Sequence, residues 1–285
     1  MKFMLKLKNN RFNFLKSKRI LRDYTQSSVS SKINWLWLSG FIQGDGYFVV
    51  RQTRNEHILY VSKHINDIQI LHKIKSFLGY GYVRSQPVEK MAHYVLQARP
   101  GILLALSNLS LFVGEKSKNY FKFLEVYGLN IPTDLNYDFI SFKNAWLIGF
   151  IDAEGSFYGT YSKNKKMLKG YQLQLKFAIT QKDPTVLKVV CKLFNIRTRY
   201  NKKGFYYFIL SNSEHLDVLV DYVKRYPLLT KKSISFERWL KLFNIYKNKQ
   251  HLDIEPLFLK KAVESINKFN FETDEDIVQS STRVE

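Results

Sequence analysis

The chain has a single cysteine, Cys191, in 285 residues, which excludes a disulfide framework and any zinc site built on several thiolates. Its six histidines show no ligand spacing. A reducing compartment fits this composition. Long apolar runs are also missing. No stretch approaches the roughly 18 residues of a membrane span, and the longest candidate, 102–113, is interrupted by Ser107, Asn108 and Ser110 and reads as a core helix. Acid is scarce: 24 Asp and Glu stand against 45 Lys and Arg, a net charge of +21. Such an excess points to a polyanionic partner. Because it is spread through the whole sequence and not confined to one amphipathic helix, nucleic acid is expected and a membrane surface is not.

What the chain does have is 45% hydrophobic residues, enough to bury substantial cores in one large domain or two small ones. It also has an internal echo. Leu38-Ser-Gly-Phe-Ile-Gln-Gly-Asp-Gly46 and Leu147-Ile-Gly-Phe-Ile-Asp-Ala-Glu-Gly155 are near-copies, each preceded by a tryptophan, Trp37 or Trp146. Both have apolar residues at helical spacing and small residues four apart, Gly40 with Gly44 and Gly149 with Ala153. Small residues at that spacing let two helix backbones come close. Each copy then ends in a carboxylate, Asp45 or Glu154, and a glycine expected to close the helix. The pattern predicts two helices packed together with two acids side by side at their C-terminal ends.

The echo extends beyond the motifs. Ser31 or Asn34 can cap the first helix, after which the apolar period changes to two through 47–53 and 58–62. An amphipathic helix ends at Gly79, a second hairpin spans about 80–84 and 93–97, and two helices follow. After Pro132 the same order returns: strands near 157–161 and 171–179, a helix over 184–194, strands at 196–200 and 205–210, and helices at 216–222 and 236–246, with a further helix over 257–266. The register is testable by spacing, since 49 residues separate Asp67 from Lys116 and likewise Asp183 from Lys232. A repeat of this kind outweighs any single local reading. The expected division is a basic leader and linker (1–31), repeat 1 (32–127), a linker (128–143), repeat 2 (144–268) and an acidic tail (269–285).

Two carboxylates at helix C-termini lie at the negative ends of the helix dipoles and repel each other. A hard divalent cation with oxygen ligands, Mg²⁺ foremost, would compensate them and leave positions open for water and phosphate. Taken singly, each acid before a glycine is an ordinary polar helix end. Two in register within a whole-chain repeat favour a shared site.

On these residues the chain resembles the LAGLIDADG homing endonucleases in their single-chain, two-motif form, over about 35–267. The resemblance implies an α/β (α+β) fold of two pseudo-symmetric repeats, each an antiparallel saddle-shaped sheet backed by helices, packed through the motif helices over double-stranded DNA. It implies a monomer that cuts both strands across the minor groove. Asp45 and Glu154 would hold two or three Mg²⁺ ions, with the Gly44 and Ala153 carbonyls helping to ligate. It further implicates Gln181 in orienting water, and Lys116 and Lys232 beside the scissile phosphates. Gln43 departs from the family word, at a position that is not a ligand. Counting back from Asp67, Ile65 takes the place equivalent to Gln181, so repeat 1 is expected to lack the water-organising group and the two strands to be cut at unequal rates.

DNA contacts should fall to strand residues facing away from the helices. If Phe48, Val50, Phe157, Phe177 and Ile179 point inward, alternation turns Arg51, Thr53, Tyr158, Thr160, Gln172, Gln174 and Lys176 outward, with Arg84 and Arg199 on the second hairpins. The same resemblance includes maturases, so a group I intron RNA is the rival partner. Richness in Lys, Asn, Phe, Tyr and Ile suggests an A/T-rich gene, and by family habit a mitochondrial intron.

Overall fold

The computed structural model describes residues 32–51, 56–167, 169–197, 199–200 and 204–268. The basic leader, the acidic tail and Thr53 lie outside the described residues, as do the side chains of Arg199 and Tyr200. The first motif helix, α1 (Trp35–Asp45), begins where the Asn34 side chain accepts a hydrogen bond from the Trp37 amide at 2.9 Å. Its counterpart α5 (Trp146–Glu154) starts on Asn144, whose Oδ1 takes the Trp146 amide at 2.9 Å, and on the Tyr222 hydroxyl, which takes the Ile148 amide at 2.9 Å. These groups satisfy donors that a helix start leaves open. Both helices end at their glycine, as expected. Gly46 and Gly155 are extended, not left-handed, because each is already the first residue of a strand, β1 (Gly46–Arg51) and β5 (Gly155–Lys163).

The remaining elements follow the predicted order. In the first repeat, β2 (Glu56–His64) leads through a short 3-10 turn, Ile65–Asp67, into α2 (Ile68–Leu78), then β3 (Tyr82–Gln86), β4 (Met91–Leu96), α3 (Arg99–Asn108) and α4 (Glu115–Val126). In the second, β6 (Tyr171–Gln181) leads into α6 (Thr185–Leu193), β7 (Arg199–Tyr200), β8 (Tyr206–Leu210), α7 (Ser213–Arg225), α8 (Lys232–Lys247) and α9 (Pro256–Ser265). The two four-stranded sheets have matching orders, β1-β2-β4-β3 and β5-β6-β8-β7. The fold is α+β with two antiparallel sheets. Among the described residues no helix is long and apolar enough to cross a membrane.

By contacts the chain divides into two compact units. Among the described residues, one holds those up to Ser156 together with Ala178–Ser233, and the other holds Phe157–Phe177 and 234–268. In the first unit α1 packs on α5 at very short range. A methyl built at Gly40 would overlap the Trp146 carbonyl and lie 2.9 Å from the Phe150 amide nitrogen, while one at Gly149 would overlap the Trp37 carbonyl and lie 3.0 Å from the Phe41 nitrogen. This is the close approach that the paired small residues predict. Trp37, Leu38, Phe41, Ile42, Trp146, Leu147, Phe150 and Ile151 are all buried around it, each large apolar side chain contributing about 1.5–3 kcal/mol. Phe48, the inward residue of β1, is buried against Phe112, Tyr120 and Phe123, whereas Val50 is only half-buried. In the second unit Phe157 fills the core with Phe177, Phe236 and Trp239.

Candidate active site

The C-terminal ends of α1 and α5 meet. A methyl at Gly44 would overlap Ala153 Cβ and fall 2.8 Å from Glu154 Cγ, so the two acids emerge beside each other. Burial pushes the Asp45 carboxyl up to about 6, Lys63 opposes that rise, and the neighbouring Glu154 charge adds to it. The last carbonyls of these helices carry the negative end of the dipole; those of Ile42 and Ile151 accept from the Gly46 and Gly155 amides, and those further on have no following helical amide. Lysines lie against both kinds. Lys116 Nζ donates to the carbonyls of Ile42 at 2.7 Å and Gly44 at 3.0 Å, and Lys232 Nζ to those of Ile151 at 3.1 Å and Ala153 at 3.2 Å. Burial lowers both ammonium groups to about 8, opposed by the two carboxylates, and Lys63 lowers Lys232 further. Each motif helix end is thus faced by one lysine, in matched geometry.

Both lysines sit in the first turn of their helices, α4 and α8, at the positive end of the dipole, which is a costly place for a cation. Tethers to the motif helices hold them there. Gln43 spans Val113, its Nε2 donating to the Val113 carbonyl at 3.1 Å and its Oε1 accepting from the Val113 amide at 2.8 Å. At the matching place Asp152, fully buried, accepts from the Leu229 amide, the Thr230 amide and hydroxyl, and the Trp37 indole. Burial nonetheless raises its pKa above the usual carboxylate range, because those donors offset desolvation only in part. A second pair of tethers crosses between repeats: Asp183 Oδ2 accepts from the Glu115 amide at 2.8 Å and Asp67 Oδ1 from the Lys231 amide at 3.0 Å. The reading of Gln43 as a non-ligand fits this, since it supports the segment that carries Lys116.

One expectation is corrected. Val61, paired with Gly46, and Ile179 are the buried residues near the ends of β2 and β6, so the side chains two places on, Lys63 and Gln181, share the inward face. The counterpart of Gln181 is thus Lys63 and not Ile65. The 3-10 turn inserts two residues between this position and Asp67, which is why counting back from the aspartates misplaces it. Lys63 Nζ lies 2.7 Å from Asp45 Oδ2 and 3.3 Å from the carbonyls of both Asp152 and Ala153. The sequence signal was a lysine in the inward register, two and four places after the buried Val61 and Leu59. Gln181 instead lines an open cleft of about 710 Å³ with Glu154, Asp183 and Phe205.

Of the strand residues proposed to touch DNA, Arg51 is exposed and paired with Glu56 at 3.0 Å, and Arg84 and Thr160 are exposed. Tyr158, Gln172, Gln174 and Lys176 are half-buried, Gln172 accepting from Asn164 Nδ2 at 3.0 Å. Every candidate metal ligand presents oxygen: the carboxylates of Asp45 and Glu154 and the carbonyls of Gly44 and Ala153. Ammonium groups already lie on three of these four residues. A hard cation fits that donor set.

The family model described as LAGLIDADG endonuclease matches residues 38–127 and 147–243, more than half of the chain. Among curated proteins, "Probable intron-encoded endonuclease 4" of Neurospora crassa is 28% identical over 264 residues, which is 87% of this chain and 47% of that protein. "Intron-encoded RNA maturase bI4" of Saccharomyces cerevisiae is 28% identical over 233 residues, covering 78% of this chain and 34% of the relative. The chain thus spans about half or less of the length of these two relatives. Of solved structures, I-SmaMI bound to uncleaved DNA in the presence of calcium ions shares the fold with a TM-score of 0.70 at 20% identity, over 84% of this chain and 100% of that one.

Proposed function

Because this chain belongs to the LAGLIDADG endonuclease family, we propose that it is a site-specific endonuclease that makes Mg²⁺-dependent double-strand breaks in a long DNA target, as in intron homing. The observation that carries the reading is the acid pair at the meeting ends of α1 and α5, each motif faced by its own half-buried lysine. Asp45 and Glu154, with the Gly44 and Ala153 carbonyls, would hold the divalent ions. A bound divalent ion supplies the charge that lowers the pKa of an attacking water and neutralises the leaving oxygen. Lys116 and Lys232, at about 8, would donate to phosphate oxygens and stabilise negative charge as it develops. Gln181, in the open cleft beside Glu154, would orient the water on that side.

The base-contacting set would be Arg51, Thr53, Arg84, Tyr158, Thr160, Gln172, Gln174, Lys176 and Arg199, because Gln and Arg suit bidentate contacts to base edges. Repeats at 32–127 and 144–268 would act as one monomer. Similarity to intron-encoded proteins supports a mitochondrial intron as the source. A second reading, an RNA-binding cofactor that helps its group I intron splice, is favoured by the similarity to an RNA maturase. The test is selection of cleaved duplexes from a randomised library with and without Mg²⁺. Asp45→Asn and Glu154→Gln should each abolish double-strand cleavage while leaving DNA binding intact. Full cleavage by either variant would refute the assignment, and splicing that survives both would show that the two activities are separate.

A further inference from the structure

The acid pair is unequal in what surrounds it. Glu154 faces an open cleft beside the neutral Gln181. Asp45 faces an ammonium. The Lys63 side chain is 12% exposed, and its Nζ is held by a carboxylate oxygen at 2.7 Å and two carbonyl oxygens at 3.3 Å, over the Phe41 ring at 5.2 Å from its centroid. Those oxygens belong to Asp45, Asp152 and Ala153, and two of the three residues are ones assigned above to a divalent ion. An ammonium and a divalent ion cannot both occupy the same oxygen lone pairs at contact distance, since like charges at that separation repel strongly in a half-buried site. Lys63 also sits near the end of β2, the second strand of its repeat, and not on a surface loop.

Resting on the endonuclease reading, we propose that Lys63 is a built-in stopper of the cation site on the Asp45 side, one that a divalent ion must displace before it can bind there. The chain's own lysine thus sets the divalent-ion affinity at Asp45, whereas on the Glu154 side the ammonium of Lys232 lies on the Ala153 carbonyl and not on the carboxylate. Binding that requires a displaced state is weakened by the fraction of molecules in that state. Removing the ammonium therefore tightens ion binding, by roughly tenfold if the displaced state is about a tenth populated.

The test uses the full chain without DNA and Tb³⁺ as the probe, followed by luminescence, with the rise in melting temperature on adding Ca²⁺ as a second readout. Lys63→Gln is the main variant. Lys63→Met, which keeps the aliphatic stem against Phe41, guards against misfolding, and Lys63→Arg keeps the charge. Lys73→Gln, on the exposed face of α2, controls for net charge. Tb³⁺ should bind Lys63→Gln and Lys63→Met about tenfold more tightly than the unaltered chain, and Lys63→Arg and Lys73→Gln with unchanged affinity. Equal or weaker binding by Lys63→Gln and Lys63→Met, with Asp45→Asn still abolishing the Asp45-side ion, would overturn the stopper alone. Binding that is indifferent to Asp45→Asn and Glu154→Gln would overturn the stopper and the endonuclease reading together.

Discussion

Replacing Asp152 by asparagine is the sharpest probe of how the site is held. The carboxylate accepts four hydrogen bonds, two on each oxygen: the Trp37 indole and the Leu229 amide reach Oδ2, both at 2.9 Å, and the Thr230 amide and hydroxyl reach Oδ1 at 3.2 and 2.7 Å. An asparagine has one oxygen to offer. Turned one way, its NH₂ group faces two N–H donors; turned the other, it faces the Thr230 amide and a hydroxyl that can rotate to accept, in a fully buried place. Leaving a buried donor unmet costs about 1–3 kcal/mol, so one or two cost about 1–6 kcal/mol. Against this, the ionised carboxylate is itself unfavourable here, because burial raises its pKa, and a neutral side chain escapes that cost. The net expectation is a loss of about 2–4 kcal/mol, measured as the shift in urea midpoint at constant slope near pH 7. A loss below about 1 kcal/mol would refute the claim that all four donors depend on the charge. Since Leu229 and Thr230 lead directly into the helix of Lys232, a folded Asp152→Asn protein should also cleave one strand more slowly than the other.

Gln43→Glu should destabilise by about 1–3 kcal/mol in the same assay, because a carboxylate there would face the Val113 carbonyl that the amide now donates to. Gly40→Ala and Gly149→Ala should each cost about 1–3 kcal/mol or more in urea unfolding, since the added methyl overlaps backbone that two packed helices cannot easily withdraw. Lys116→Ala and Lys232→Ala should each slow one strand about 10²-fold, seen as accumulation of nicked plasmid, with both strands slowed together if the two lysines act jointly. Asp183 is penalised by burial, yet donors from Thr185 and Glu115 outweigh it and hold its pKa below the ordinary value. The sign follows: its stabilisation is present above the unfolded pKa near 3.9 and is lost as pH falls through the folded value. Asp183→Ala should therefore flatten the acid limb of the stability profile.

Most of the scaffold was legible because its signals are periodic. Alternation marked β1, β2, β5 and β6, helical spacing marked α2 and α6, and the 49-residue match between Asp67–Lys116 and Asp183–Lys232 fixed the repeat before any contact was known. The aspartates in that match turn out to do the same work, each holding the backbone ahead of the opposite repeat's lysine. Legibility failed where a short insertion sits between two aligned anchors. The turn Ile65–Asp67 shifts the strand end by two residues, and counting from Asp67 landed on Ile65. The glycines after the motifs do close the helices, but not in the usual geometry. A glycine after a helix ordinarily signals a left-handed cap, but here the next strand begins at once and the backbone is extended.

The two halves differ by side chains whose partners force the difference. At the sixth motif position the second repeat must satisfy donors only, so a carboxylate serves; the first must satisfy the amide and the carbonyl of Val113, so an amide serves and Trp146 Nε1 is left buried without a partner. At the strand end the second repeat places a neutral glutamine beside an open cleft, and the first places a cation on its own acid. Unequal strand rates, expected at first from a missing glutamine, are therefore expected for a stronger reason. The Asp45 side is occupied by its own charge in the absence of a divalent ion. Raising the divalent-ion concentration should then accelerate the strand served by Asp45 more than the one served by Glu154, and equal acceleration of both in nicking assays would contradict it.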